Sequence, residues 1–241
     1  MTGLNMKKIL LAAGLLLGLA VPAQADFIFQ SGNHPGANEE NILFQQKYTN
    51  IPSLIGFTNQ SHVGIIFDLV PGYIGGQLGL GTSGVGQADI VCNIGALCGS
   101  FAQGGANGLQ LEDLEIKLQN GFGATDFIGN LDFGEGIFRV SVGDQFGQYF
   151  DYTLGNGQNF FTIEAINNEV ITDILIQGIT ADAGGHMGFN SFKQPRISGL
   201  CTLQGTTCTA IDIPEPTSIA LFGAGLLGML WFASRRKLLL A

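Results

Sequence analysis

The chain has 241 residues, 46% of them hydrophobic and only 12% charged, with a formal net charge of −9. Its charge is unevenly placed: Asp26–Ile213 holds 18 acidic and five basic residues, a net of −13, while the other five cations sit at the two ends. So acidic a body is repelled by nucleic acid and by anionic lipid headgroups, which excludes nucleic-acid binding.

Lys7 and Lys8 precede an apolar run, Ile9–Val21, which is followed by Pro22-Ala23-Gln24-Ala25. A basic start, a short greasy stretch and an Ala-x-Ala site are the three parts of a secretory signal peptide, and 13 residues are too few to span a bilayer. Residues 1–25 are therefore read as a signal peptide cut after Ala25 by signal peptidase, with Ala23 and Ala25 forming the site; translation is expected to start at Met6 rather than Met1. Residues 26–212 then make one domain of ordinary size with its own core.

That domain reads as β throughout. Short runs alternate apolar and polar residues between glycine and asparagine turns, the period-2 sign of half-buried strands. Val63–Leu69, Ala88–Cys92 and Asp126–Leu131 are candidates. Phe138, Val140 and Val142 share one strand face; Phe150, Tyr152 and Leu154 oppose Tyr149, Asp151 and Thr153 on the next. Gly155-Asn156-Gly157 turns the chain into Phe161, Ile163 and Ala165, and Asn167-Asn168 turns it again into Ile171–Ile179. Leu109–Leu118 has a helical leucine spacing, but Leu114–Leu118 alternates, so a strand with a bulge near Glu112-Asp113 is expected. Lys193–Ser198 closes the series, with Pro195 requiring an edge or a bulge. The expected fold is an all-β, antiparallel sandwich of jelly-roll type.

The four cysteines suit an oxidising compartment. Three pairings are open; closeness in sequence favours Cys92–Cys98 and Cys201–Cys208, each stapling a small loop. Their spacings do not match a zinc knuckle. Gly79–Gly84 fits G-x-G-x-x-G, but no strand-to-helix turn surrounds it, and it reads as a loop rather than a dinucleotide site. His34, His62 and His186 share no metal spacing and read as loop residues. Carboxylate pairs for glycoside hydrolysis can be drawn from Asp132 with Glu135 or Asp144 with Asp151, although spacing in sequence cannot set their separation. Asn130, Asp132 and Glu135 are candidate ligands for a structural Ca²⁺, the only cofactor considered. Tyr73, Tyr149 or a loop phenylalanine is the candidate aromatic platform for a sugar. Asn59-Gln60-Ser61 reads as a turn.

The last 29 residues, 213–241, hold Ile213, Pro214-Glu215-Pro216, an uncharged apolar stretch Ile219–Ala233, and Arg235-Arg236-Lys237. The prolines bar a helix at the entry, the apolar stretch suits a short membrane helix, and the basic triplet is its cytoplasmic stop. This order resembles the PEP-CTERM sorting tail of Gram-negative bacteria, through Pro214, Glu215, Pro216, Ser218, Ile219–Ala233, Arg235 and Arg236. The resemblance implies cleavage by an exosortase after transient anchoring in the inner membrane, then release to the surface or matrix. Leu154–Ile163 and Gln194–Gly199 are similar to blocks that often precede such tails, implying a shared β-sandwich. Three functions follow as expectations: a non-enzymatic surface or matrix protein working among exopolysaccharide or biofilm, a carbohydrate-binding module, and, third, a secreted hydrolase.

Overall fold

The computed structural model describes residues 26–49, 51–70, 80–82, 84–92, 111–143, 148–185, 187–204 and 207–211. In chain order the strands are β1 (Asp26–Ser31), β2 (Glu40–Phe44), β3 (Ser53–Thr58), β4 (Gly64–Asp68), β5 (Leu80–Thr82), β6 (Gly86–Gln87), β7 (Asp89–Cys92), β8 (Asp113–Leu118) and β9 (Phe122–Gly123). They continue as β10 (Asp126–Glu135), β11 (Ile137–Val142), β12 (Gln148–Thr153), β13 (Phe160–Ile166), β14 (Asp173–Thr180), β15 (Gly188–Ser198), β16 (Cys201–Gln204) and β17 (Thr207–Ala210). The described residues are all β, every pairing is antiparallel, and they contain no helix.

One 14-stranded sheet runs β1-β13-β10-β15-β2-β3-β4-β8-β14-β11-β12, with β7 and β5 continuing outward from β15 and β6 on β2. It bends back until its ends nearly meet, so the molecule is close to a barrel. The corner is β2, which changes partner along its length. Glu40 and Asn41 pair with β15, whereas Ile42 and Leu43 pair with β3. The chain between Leu111 and Asp113 makes the same switch: Leu111 bridges to Phe189, and Asp113 onward pairs with β14. A change of partner therefore stands where a bulge is expected. At the open seam β1 and β12 meet through side chains: Gln148 Oε1 accepts from Phe27 N at 2.8 Å, and the Phe29 and Phe150 rings stack at 5.5 Å.

The core lies between the wall β1-β13-β10-β15 and the wall β4-β8-β14-β11. Phe67 on β4 meets Phe192 on β15 at 6.2 Å, and Phe138 on β11 meets Phe189 on β15 at 5.5 Å. Burying each such ring stabilises the fold by about 1.5–3 kcal/mol, so this aromatic seam is a main source of cohesion between the walls. It demands a gap: a Cβ on Gly129 would lie 2.7 Å from both Phe161 and Phe192, so only glycine lets the two rings approach β10. Opposite Gly129, β15 carries an extra residue. The register passes from Ile128–Arg196 to Asn130–Lys193, and Gln194 takes φ +51°. Pro195 sits in that bulge of a central strand, where its missing N–H interrupts no ladder bond.

The outer faces of the two walls differ. From β1 the chain crosses to β2 over the outside of β13, β10 and β15, forming a strap at residues 32–39. Thr162 Oγ1 donates to Gly32 O at 2.9 Å and accepts from His34 N at 3.1 Å. Gly36 presses on Ser198 and Asp126 so closely that a Cβ would clash with Ser198 Oγ, and Glu39 pairs with Arg196 at 3.0 Å. Thr162, expected on a solvent face by alternation, is thereby buried. The outer face of β8, β14, β11 and β12 has no such cover among the described residues.

Candidate functional site

On the uncovered wall, β12 alternates half-buried and exposed residues along its length, placing Tyr149, Asp151 and Thr153 outward. Its inward side chains, Gln148, Phe150 and Tyr152, tie the strand to β1 and to Phe160 O, the last at 3.3 Å. Because the back is fastened, the front is held still. Arg139 on β11 lies directly opposite Asp151, and Ser141 opposite Tyr149. The guanidinium donates from Nε and Nη2 to the two Asp151 oxygens at 2.8 and 2.9 Å and lies 3.8 Å from the Tyr149 ring centroid. Asp151 thus aims the arginine, and the arginine braces the ring. The hydrogen bond from Arg139 holds the Asp151 carboxyl below the usual carboxylate range, and the same bond raises the arginine.

The same face continues across β14 to β8 and β4. In one row Asp151, Arg139, Gln177 and Asp113 stand side by side; in the next come Tyr149, Ser141, Leu175, Glu115 and Asp68. Lys117 bridges Glu115 at 2.8 Å and Asp68 at 3.1 Å. Burial pushes the Asp113 carboxyl up, with the Gly178 N–H opposing it. At the Thr153 end, a cavity of ≈ 350 Å³ opens among Ile137, Thr153, Asn156 and Asp182.

Other candidates are placed apart. Asp132 is nearly buried and paired with Lys193 at 2.5 Å, and Asn130 accepts from Asn159 N at 2.9 Å. Among the described residues no group of three His, Cys, Asp or Glu side chains is placed to hold a metal ion. Asp151 is engaged by Arg139, while its proposed partner Asp144 lies outside the described residues, as do Tyr73 and His186. His34 is exposed in the strap, and His62, at φ +57°, in the β3–β4 turn. That turn contains Asn59-Gln60-Ser61 and is capped by Glu40, whose Oε2 accepts from Gln60 N and Ser61 N at 2.8 Å each. Of Gly79–Gly84, Leu80–Thr82 forms β5 rather than a loop.

The block Leu154–Ile163 is explained by Asn159. Its Oδ1 accepts from Gly155 N at 2.8 Å, and its Nδ2 donates to the carbonyls of Leu131, Gly155 and Gly157 at 2.7–3.1 Å. One amide thus clasps the turn onto β10. The clasp also sets Phe133, at φ +49° and half exposed, whose N donates to Gly157 O at 2.7 Å. The sequence allowed an exposed loop phenylalanine but did not single out Phe133, which stands within β10.

At the far end of the body, β17-β16-β9 form a small separate sheet closed by the Cys201–Cys208 disulfide, with a Cα–Cα distance of 5.4 Å. Cys98 lies outside the described residues, and of Cys92 only its strand position is described. A cleft of ≈ 500 Å³ borders the disulfide, lined by Thr125, Glu169, Val170 and Gly199 among others. Ile211 packs on the core and its N donates to Leu200 O at 3.0 Å, so the folded body continues to residue 211.

Residues 212–237, beginning at the next position, match the PEP-CTERM protein-sorting motif. The chain carries a PEP-CTERM tail. The motif contains Pro214, Glu215, Pro216, Arg235, Arg236 and Lys237, and it implies export, processing by an exosortase and sorting to the cell surface. The PEP-CTERM motif, the expected signal peptide at 1–25 with Ala23 and Ala25, and the apolar segment Ile219–Ala233 all lie outside the described residues. No curated protein and no solved structure matches the chain.

Proposed function

We propose that this protein is a non-enzymatic component of the extracellular layer, exported through its leader, held briefly in the inner membrane by Ile219–Ala233, and released among exopolysaccharide. The observation that carries the reading is the sorting motif at 212–237. The domain's chemistry is consistent with a structural role. Lys117, Arg139, Lys193 and Arg196 are each held by a carboxylate, leaving the body acidic on its surface and suited to staying dispersed outside the cell. We read the near-barrel as a flattened sandwich of jelly-roll type, supported by the ring contacts between its facing walls.

The test is fractionation of producing cells expressing the full chain or a Pro214→Ala/Glu215→Ala/Pro216→Ala variant. The parent is expected in the polysaccharide-rich extracellular fraction, shorter by the tail; the variant stays in the membrane at full tail length. A parent that remains wholly in the inner membrane overturns the reading.

A further inference from the structure

We propose that the open outer face of β8, β14, β11 and β12, centred on Tyr149, is a binding site for a neutral polysaccharide strand. The proposal rests on the placement of the protein in the polysaccharide layer, and it names the surface that does the holding.

The first argument is shape and spacing. Outward side chains repeat about every 6.6–6.8 Å along each strand and about 4.8 Å across strands. Tyr149, Asp151 and Thr153 form such a line on β12, with Arg139 and Gln177 beside them and Ser141 buried between. This is a flat field of hydroxyl, amide and carboxylate groups around one aromatic ring, and the line ends at the cavity beside Thr153. A sugar ring offers the complement: an apolar C–H face to lie on tyrosine and a hydroxyl rim to donate to the carboxylates.

The second argument is preorganisation. Tyr149 is 55% exposed although Arg139 already lies against it. The Asp151 fork fixes the arginine, and β12 is fastened from behind by Gln148, Phe150 and Tyr152. Little side-chain freedom is left to lose when a ligand arrives, and that loss is a main cost of binding.

Charge selects the class. The face carries Asp68, Asp113, Glu115 and Asp151 against Lys117 and Arg139, and both cations are already paired. A uronate or sulfated chain would meet an excess of two carboxylates over cations, whereas a neutral chain meets no like charge.

The experiment is affinity electrophoresis of the full-length protein in mild detergent. Gels contain the extracellular polysaccharide of the producing cells, separated by anion exchange into neutral and acidic fractions. Retardation is expected in the neutral gel alone. Tyr149→Ala should weaken it at least tenfold with an unchanged melting temperature, Tyr149→Phe should keep most of it, and Ile28→Ala, on the other wall, should keep all of it. No retardation in the neutral gel, retardation only in the acidic gel, or full retention by Tyr149→Ala each overturns the site. Fractionation separates this failure from that of the broader reading. A parent found outside the cell but not retarded loses the site and keeps its location, and Tyr149→Ala must still be exported and trimmed.

Discussion

On the wall containing β13, β10 and β15, the outward residues Thr162, Ile128 and Ser198 are each only 2% exposed, whereas on the wall containing β11 and β12 the outward Tyr149 is 55% exposed. Both walls have the same antiparallel ladder and the same aromatic interior. They differ because the strap at 32–39 crosses one of them and not the other. The covered wall needs polar partners for what it buries: Thr162 finds Gly32 and His34, Arg196 finds Glu39, Asp132 finds Lys193. The open wall buries Ser141 and Leu175 in its middle but leaves Tyr149, Asp151 and Thr153 to water, braced by Arg139. One side therefore contributes to cohesion and the other is available to a partner. Unpaired polar groups are expensive only where water is excluded, so damage to the two walls should have different consequences.

The largest expected effect is Asn159→Ala, at the end of the covered wall. It removes four hydrogen bonds, one of them to the carbonyl of buried Leu131 and three to the partly exposed Gly155–Gly157 turn, a cost of about 2–3 kcal/mol. Chemical denaturation of the full-length protein in detergent would measure it, and a loss under about 1 kcal/mol would show that water replaces the amide there. Thr162→Val comes next. It breaks both bonds to the strap while keeping the side chain's size, for about 1–2 kcal/mol. It should also speed proteolysis within residues 32–39. If stability and proteolysis are both unchanged, the strap lies on the wall without being held by it, and the contrast between the walls loses its cause.

The same contrast sets what the sequence could reveal. Alternation reads an open wall directly, because one face is wet: β11, β12 and the run Leu114–Leu118 were all legible, as was Tyr149 as an aromatic candidate. It fails where both faces are buried. In β10 the residues Phe127–Asp132 are all buried, so the strand shows no period, and only its first part was anticipated. The strap itself is invisible in sequence, since Gly32–Glu39 looks like any polar loop until Gly36 is seen against Ser198. The strands before Val63 were missed for another reason. β2 and β3 do alternate in burial, but their residue types hide it: Glu40 and Thr58 are buried while Ile55 is exposed and Leu43 half-buried. The hairpin β16–β17 was announced by its cysteines alone, through the pairing of Cys201 with Cys208. The sorting tail needed no fold to be read, because its order of prolines, apolar stretch and basic residues is linear.

The smallest predicted effect tests how wet the open wall is. Asp113 stands in its outward row beside Gln177, and burial raises its carboxyl pKa against the pull of the Gly178 N–H. A raised carboxyl holds its proton more tightly in the folded state than in the unfolded chain. Folding stability therefore falls as pH rises from the ordinary carboxylate value through the folded one, and stays lower above it. Asparagine keeps an acceptor for Gly178 and carries no charge to desolvate. Asp113→Asn should thus stabilise the protein at pH 7 by about 0.5 kcal/mol, a gain kept small by solvent screening, and the gain should vanish below the ordinary carboxylate range. Melting curves at neutral and acid pH measure both limbs. An equal effect at the two pH values would mean that charge is not its source. No effect at either would place Asp113 in the same water as Glu115 and make the whole face uniformly open to a ligand.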